Sequence, residues 1–88
     1  MLKILYFARL CDALGSSGES LDLPADIKDI GGLRAFLGAR GEVWAKEFAP
    51  TSKVRAAVNK NLVGVGVEAD APIKDGDEIA FFPPVSGG

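Results

Sequence analysis

Two consecutive prolines near the end of the chain, Pro83-Pro84, limit what it can fold into more than any other feature of the sequence. Proline holds φ near −65° and has no N–H to donate, so the pair cannot continue an interior sheet ladder and favours a stiff, polyproline-like exit. A strand containing Phe81-Phe82 therefore stops at Phe82. This predicts a folded domain over 1–82 and an extended tail over 83–88. Beyond the prolines, Val85-Ser86-Gly87-Gly88 can span about 13 Å, at roughly 3.3–3.6 Å per extended residue. The last two residues have no Cβ to obstruct a narrow channel, and the carboxylate of Gly88 leads. Chain ends are commonly frayed. A Gly-Gly pair on a diproline stalk, with nothing after it to shield the carboxylate, is instead expected to be a functional arm.

The 88 residues are enough for one domain and no second core, with 48% apolar and 25% charged side chains, a composition too apolar for intrinsic disorder. Ten basic and twelve acidic residues leave a net charge of −2 without long runs. No basic face for nucleic acid or for an anionic membrane is expected. No apolar run approaches the ~18 residues of a membrane span, and Lys3 interrupts what would be a signal sequence, so a cytoplasmic protein is expected. Cys11 is the only cysteine and histidine is absent. An internal disulfide, a four-cysteine metal site and a Ser–His or Cys–His pair are thereby excluded from this chain alone. An autonomous hydrolase is not expected.

Along the chain, Met1 to Arg9 alternates, with Leu2, Ile4, Tyr6 and Ala8 on one face and Lys3, Leu5, Phe7 and Arg9 on the other. Period-two alternation predicts a first strand with Leu5 and Phe7 as apolar residues left outside. A short helix over 8–14 closes at Gly15, and Glu19 to Leu23 reads as a second strand. Cys11 falls on that helix and is expected to be a small buried hydrophobe, with a reactive thiol as the alternative. Asp29 is a good N-cap for a principal helix from Ile30 to Arg40, stopped by Gly41, with Ile30, Leu33, Phe36 and Leu37 in one stripe. Gly31, Gly32 and Gly38 each cost such a helix roughly 1 kcal/mol relative to alanine. Packing of the stripe, at about 1.5–3 kcal/mol per large side chain, must hold it.

Trp44 and Phe48, four apart, fit one further helical turn before Pro50 and belong to the core. Lys53 to Asn59 alternates again with Val54, Ala56 and Val58 inward, followed by a turn at Asn59-Lys60-Asn61. Gly64-Val65-Gly66-Val67-Glu68-Ala69 loosely matches a dinucleotide-binding pattern. Asp70 and Pro72 follow where a helix would have to run, so an irregular strand or bulge is expected instead. Lys74-Asp75-Gly76-Asp77 reads as a tight turn with Gly76 at positive φ. Its carboxylates, with Glu78, are expected to be solvated. The last strand, Glu78 to Phe82, sends Ile79 and Phe81 inward and leaves Ala80 and Phe82 outside.

Strand, short helix, strand, main helix and further strands predict an α+β domain: a mixed sheet with the helix on one face, in a β-grasp, ubiquitin-like roll. With the first and last strands adjacent, Phe7 and Phe82 share an outer surface from which the tail departs.

Over essentially its full length the chain resembles the small, sulfur-carrying subunit of molybdopterin synthase, one of the ubiquitin-like sulfur carriers. The resemblance rests on Lys3-Ile4-Leu5-Tyr6-Phe7-Ala8, Ala56-Ala57-Val58-Asn59, Asp75-Gly76-Asp77-Glu78 and, most specifically, Phe81-Phe82-Pro83-Pro84-Val85-Ser86-Gly87-Gly88. Cys11 departs from the family, many members of which carry arginine there.

The resemblance implies that Gly88, presented with Gly87, is adenylated by a ubiquitin-activating-like adenylyltransferase that uses ATP. It is then converted to a thiocarboxylate, with sulfur supplied indirectly by a sulfurtransferase or cysteine desulfurase. The large subunit of a heterotetrameric synthase would receive the tail, and sulfur would pass to cyclic pyranopterin monophosphate to form the molybdopterin dithiolene. It also implies that Phe7, Leu62 and Phe82 meet both protein partners while Pro83, Pro84, Val85 and Ser86 line the partner's tunnel. No cofactor or metal bound by the chain itself is implied, and acid–base groups must come from the partner. Three alternatives carry the same tail: a carrier for thiamine, cysteine or tRNA thiolation; a ubiquitin-like modifier joined to lysines; and a binding module with an inert tail.

Overall fold

The computed structural model describes residues 1–49, 53–64 and 70–83. In chain order the elements are β1 (Leu2–Tyr6), α1 (Arg9–Leu14), β2 (Gly18–Leu21), α2 (Ile30–Gly38), α3 (Glu42–Glu47), β3 (Arg55–Val58), β4 (Asn61–Leu62) and β5 (Glu78–Phe82). The strands form one sheet in the order β2-β1-β5-β3-β4. β1 and β5 run parallel at its centre, and the other pairs are antiparallel. This is the mixed sheet of a β-grasp fold, as the order of elements predicted.

The alternation in β1 and β5 decides which face is covered. Leu2, Ile4, Tyr6, Ile79 and Phe81 are all buried, and they pack with Ile30, Leu33 and Leu37 of α2 and with Phe48 and Ala56. Asp29 caps α2 as expected, its Oδ1 accepting from the Gly32 N–H at 2.7 Å. A Cβ on Gly32 would lie 3.2 Å from that same oxygen, so the glycine that weakens the helix interior lets its cap close tightly.

Several boundaries differ from those predicted. β1 ends at Tyr6, and Ala8, expected on the inner face, is exposed with φ 54° and ψ −136°. This left-handed region costs an alanine of order 1–3 kcal/mol. The turn it makes is held by the Phe7 N–H donating to the Phe81 carbonyl and by the Leu10 N–H donating to the Phe7 carbonyl. β2 starts one residue early and ends at Leu21. α2 ends at Gly38, and Gly41, expected as its stop, instead precedes α3 as its N-cap. Gly38 sits where α2 meets α3, with Ala45 Cα and Phe48 Cβ each 3.8 Å from where its Cβ would be.

The β3–β4 turn carries Asn59 and Lys60 at φ 49° and 71°, the geometry of a tight hairpin. The two-residue β4 was too short to show an alternation. Most of the expected irregular segment over 64–69 lies outside the described residues. Among the described residues no helix is long and apolar enough to cross a membrane.

Candidate functional site: the outer face of the sheet

Strand pairing places one residue from each strand in a single row across the uncovered face. Gly18 lies opposite Leu5, Leu5 opposite Ala80, Ala80 opposite Ala57, and Ala57 opposite Leu62. Every member is apolar or small. A Cβ on Gly18 would fall 2.7 Å from the Ile4 carbonyl oxygen and 3.1 Å from Leu5 Cδ2, so glycine keeps that end of the row flat.

Toward the tail, the next row is formed by Phe7, just past β1, and by Phe82 opposite Arg55. Phe7 is 48% and Leu62 63% exposed, much for such large apolar side chains, and an exposed apolar patch of this kind marks a contact surface. Phe82 departs from expectation. It is half-buried, because β3 flanks β5 on one side and the Phe7 segment on the other. In the opposite direction the row beyond Leu5 and Ala80 is polar, with Ser20, Lys3 and Glu78; the Lys3 ammonium stands 3.8 Å from the Glu78 carboxylate. Toward the end of β5 from which the tail leaves the face is thus largely apolar around one arginine, Arg55, and at the other end it carries the Lys3–Glu78 pair.

Beneath this surface the sheet is stiffened by rings. Phe81 packs edge-on to Phe48 at 4.9 Å between centroids and stacks with Tyr6 at 6.4 Å, and Trp44 meets Tyr6 edge-on at 5.6 Å. Such pairs contribute about 0.5–1.5 kcal/mol each beyond their burial. They lock the last residues of β1 and β5 against α3, giving the tail a rigid point of departure.

The Tyr6 hydroxyl donates to Glu19 Oε2 at 2.8 Å, and Arg40 grips the same carboxylate with both terminal nitrogens, at 2.6 and 2.8 Å. The arginine also lies 4.7 Å over the Trp44 ring. Burial, aided by the neighbouring Glu19, pushes the Tyr6 hydroxyl well above the ordinary phenol range. The Arg40 hydrogen bonds hold the Glu19 carboxyl below its usual value. The cluster is a clasp between β2 and the helices, on the side away from the apolar row.

Asp77, expected in solvent, is buried. Its Oδ1 accepts from Asn59 Nδ2 at 3.0 Å and its Oδ2 from the Lys74 N–H at 2.9 Å. Asn59 in turn accepts from the Glu78 N–H at 2.9 Å and donates its own N–H to the Glu78 carbonyl at 2.7 Å. The pair pins the hairpin that carries Leu62 to the start of β5. Hydrogen bonding from Asn59 and Lys74 outweighs burial and lowers the Asp77 pKa. Gly76 has the expected positive φ, 93°.

Of the residues singled out in the sequence, the structure brings Phe7 and Phe82 to one end of the face, puts Leu62 on the same side at its β4 edge, and leaves Pro83 directly beyond β5. Pro84, Val85, Ser86, Gly87 and Gly88 lie outside the described residues. Cys11 is half-buried on α1 with a free thiol. Among the described residues no three histidine, cysteine or acidic side chains converge as they would on a metal ion.

The ThiS family profile matches residues 4–88. The chain is 39% identical to the molybdopterin synthase sulfur carrier subunit of Escherichia coli, over the full length of both proteins. It is 30% identical over 82 residues to small archaeal modifier protein 1 of Haloferax volcanii, covering 93% of this chain and 94% of that protein. The fold superposes with a TM-score of 0.75 on a solved structure from Pyrococcus furiosus described as a putative molybdopterin converting factor subunit 1, at 30% identity over 96% of this chain and 97% of that one. With an apolar outer face, a rigid β5 and a Gly-Gly terminus in place, the chain belongs to the ThiS family, beside the molybdopterin synthase sulfur carriers it matches from end to end.

Proposed function

We propose that this protein is the sulfur carrier subunit of a molybdopterin synthase. The observation that carries the reading is the end-to-end match to a sulfur carrier subunit of that enzyme, on a fold whose β5 delivers the tail from the apolar end of an uncovered face. That relative is one subunit of a synthase, which supports a second protein that receives the tail.

The chemistry follows from the poor reactivity of a carboxylate as an acyl donor. Within an activating adenylyltransferase, a Gly88 carboxylate oxygen attacks the α-phosphorus of ATP; pyrophosphate leaves and an acyl-adenylate remains. A sulfide equivalent then attacks the acyl carbon, AMP departs, and the terminus becomes a thiocarboxylate. In the synthase the thiocarboxylate sulfur attacks a carbon of the pterin precursor, forming a carbon–sulfur bond as that carbon's bond to oxygen breaks and the oxygen leaves with a proton. Water cleaves the resulting acyl link, leaving sulfur on the substrate and restoring Gly88 as carboxylate. The described residues offer no convergent acid–base pair, so proton transfers fall to groups of the partner proteins.

Intact-mass analysis of the protein produced together with its activating enzyme tests the reading. The expected result is a gain equal to replacement of one oxygen by sulfur, located on the terminal glycine, in a protein that then converts precursor to molybdopterin with the large subunit. Full activation without transfer to the pterin would instead favour another sulfur pathway. The match to an archaeal modifier protein favours one second reading, a ubiquitin-like tag, for which lysine adducts requiring Gly88 would be found in place of the thiocarboxylate.

Docking should draw on the apolar end of the face. Phe82→Ala is expected to weaken binding to the large subunit by at least about 1 kcal/mol, the scale of a truncated interface anchor. Calorimetry giving the wild-type affinity would remove Phe82 from the contact.

A further inference from the structure

Arg55 occupies a position on this face that the docking scheme leaves unused. It lies opposite Phe82 in the β3–β5 pairing, beside the last aromatic residue before the tail. One Nη2 N–H donates to the Val63 carbonyl at 3.0 Å, while Nε is buried without a hydrogen-bond partner. No carboxylate pairs with the guanidinium among the described residues. The only carboxylate of β5, Glu78, is four residues from Phe82, about 13 Å along an extended strand, and is engaged by Lys3. Val54, buried, separates Arg55 from Lys53, a second cation at the same end of β3.

A half-buried guanidinium with an unsatisfied N–H costs free energy in the isolated chain. Arginine is nevertheless the cation best suited to a drying interface, because it is weakly hydrated and offers a planar fork that matches a carboxylate. The Val63 bond holds it in place before any partner arrives, which lowers the ordering cost of a later contact. We infer that Arg55 is the charged specificity contact of the docking face, pairing with an aspartate or glutamate of the large subunit that covers Leu62 and Phe82. The chain's own tail is the poorer occupant. The guanidinium is drawn to Val63, on the β4 flank of β3 and away from β5.

This inference rests on the proposed pairing with a synthase large subunit. Calorimetric titration of that subunit with wild type, Arg55→Glu, Arg55→Lys and Arg55→Met tests it, with thermal melts of each free chain as a control on folding. Arg55→Glu is expected to bind at least tenfold more weakly at low salt, with the loss shrinking as salt screens the repulsion. Arg55→Met, which keeps an apolar stem of similar reach, should bind more weakly than Arg55→Lys. Reversing the facing acidic residue of the large subunit to arginine should restore the affinity of Arg55→Glu. Melting points that fall while both Arg55→Glu and Arg55→Met bind as wild type would overturn the inference and leave Arg55 as a clamp on Val63. Should Arg55→Glu fail to fold, equal affinities of wild type and Arg55→Met at low salt would overturn it by themselves. If the wild-type chain does not bind the large subunit at all, the proposed function falls together with this contact.

Discussion

One residue appended after Gly88 is expected to abolish sulfur loading and to leave docking intact. The reacting carbon is set by counting residues from a fixed point. The rings of Phe81, Phe48 and Tyr6 hold the end of β5 rigid, and in the proposed complex the apolar face would seat that end on the partner. Six residues, fully extended, can reach about 20 Å at roughly 3.3–3.6 Å each. An added residue displaces the terminal carboxylate by about 3.5 Å and, unless it is glycine, puts a Cβ where Gly87 and Gly88 carry none. Misplacing a reacting atom by about 1 Å already costs on the order of a hundredfold in rate. Adenylation of the extended chain, followed as pyrophosphate release with the activating enzyme, should therefore fall below a hundredth of the wild-type rate, and no thiocarboxylate should appear by intact mass. Calorimetry with the large subunit should show nearly unchanged affinity, because Phe7, Leu62 and Phe82 are untouched. Thiocarboxylation at the normal rate would remove the terminus from its assigned role.

The parts of this fold that rest on period and local chemistry were legible in the sequence. Strict alternation in β1 and β5 predicted the burial of Leu2, Ile4, Tyr6, Ile79 and Phe81. The side-chain oxygen of Asp29 announced the start of α2, and Pro83 the end of the sheet. What escaped was set by partners distant in sequence. Nothing around Asp77 distinguishes a solvated turn carboxylate from one that accepts Asn59 Nδ2 across eighteen positions; the only local hint was an asparagine suited to positive φ opposite a Gly-Asp turn. Phe82 was expected to be exposed because alternation tells which face a residue occupies and not how far its neighbours shield it. Arg55 carries no local signal, and only strand register puts it beside Phe82. The row from Gly18 to Leu62 likewise exists only through pairing, since no two of its members are adjacent in the chain.

Replacing Asp77 by alanine should be the most destabilising change available outside the apolar core. It removes the buried acceptor of two hydrogen bonds and leaves Asn59 Nδ2 and the Lys74 N–H, on residues that are themselves exposed, without that partner. Hydrogen bonds to a charged group contribute about 1.5–3 kcal/mol each, and the exposed donors recover part of the loss from water. A net cost of about 2–4 kcal/mol is expected, lowering the melting temperature by roughly 10–30 °C at about 4–8 °C per kcal/mol for a domain of this size. The pH dependence has a definite sign. Asp77 titrates below its unfolded value in the native state, so its contribution is complete above the unfolded carboxyl range near 3.9 and is lost as pH falls through the native value. Wild type should therefore lose stability on acidification below about pH 4, and Asp77→Ala should lack that part of the decline. The damage should also spread to the outer face. Asn59, released from Asp77, no longer pins the β3–β4 hairpin to Glu78, and Leu62 sits on that hairpin. Binding to the large subunit should weaken even at temperatures where the variant remains folded. Chemical denaturation at pH 7 and pH 3.5 checks the first effect and calorimetry the second; a variant as stable as wild type at pH 7 would show that Asn59 and Lys74 find other acceptors and that the hairpin stands without this carboxylate.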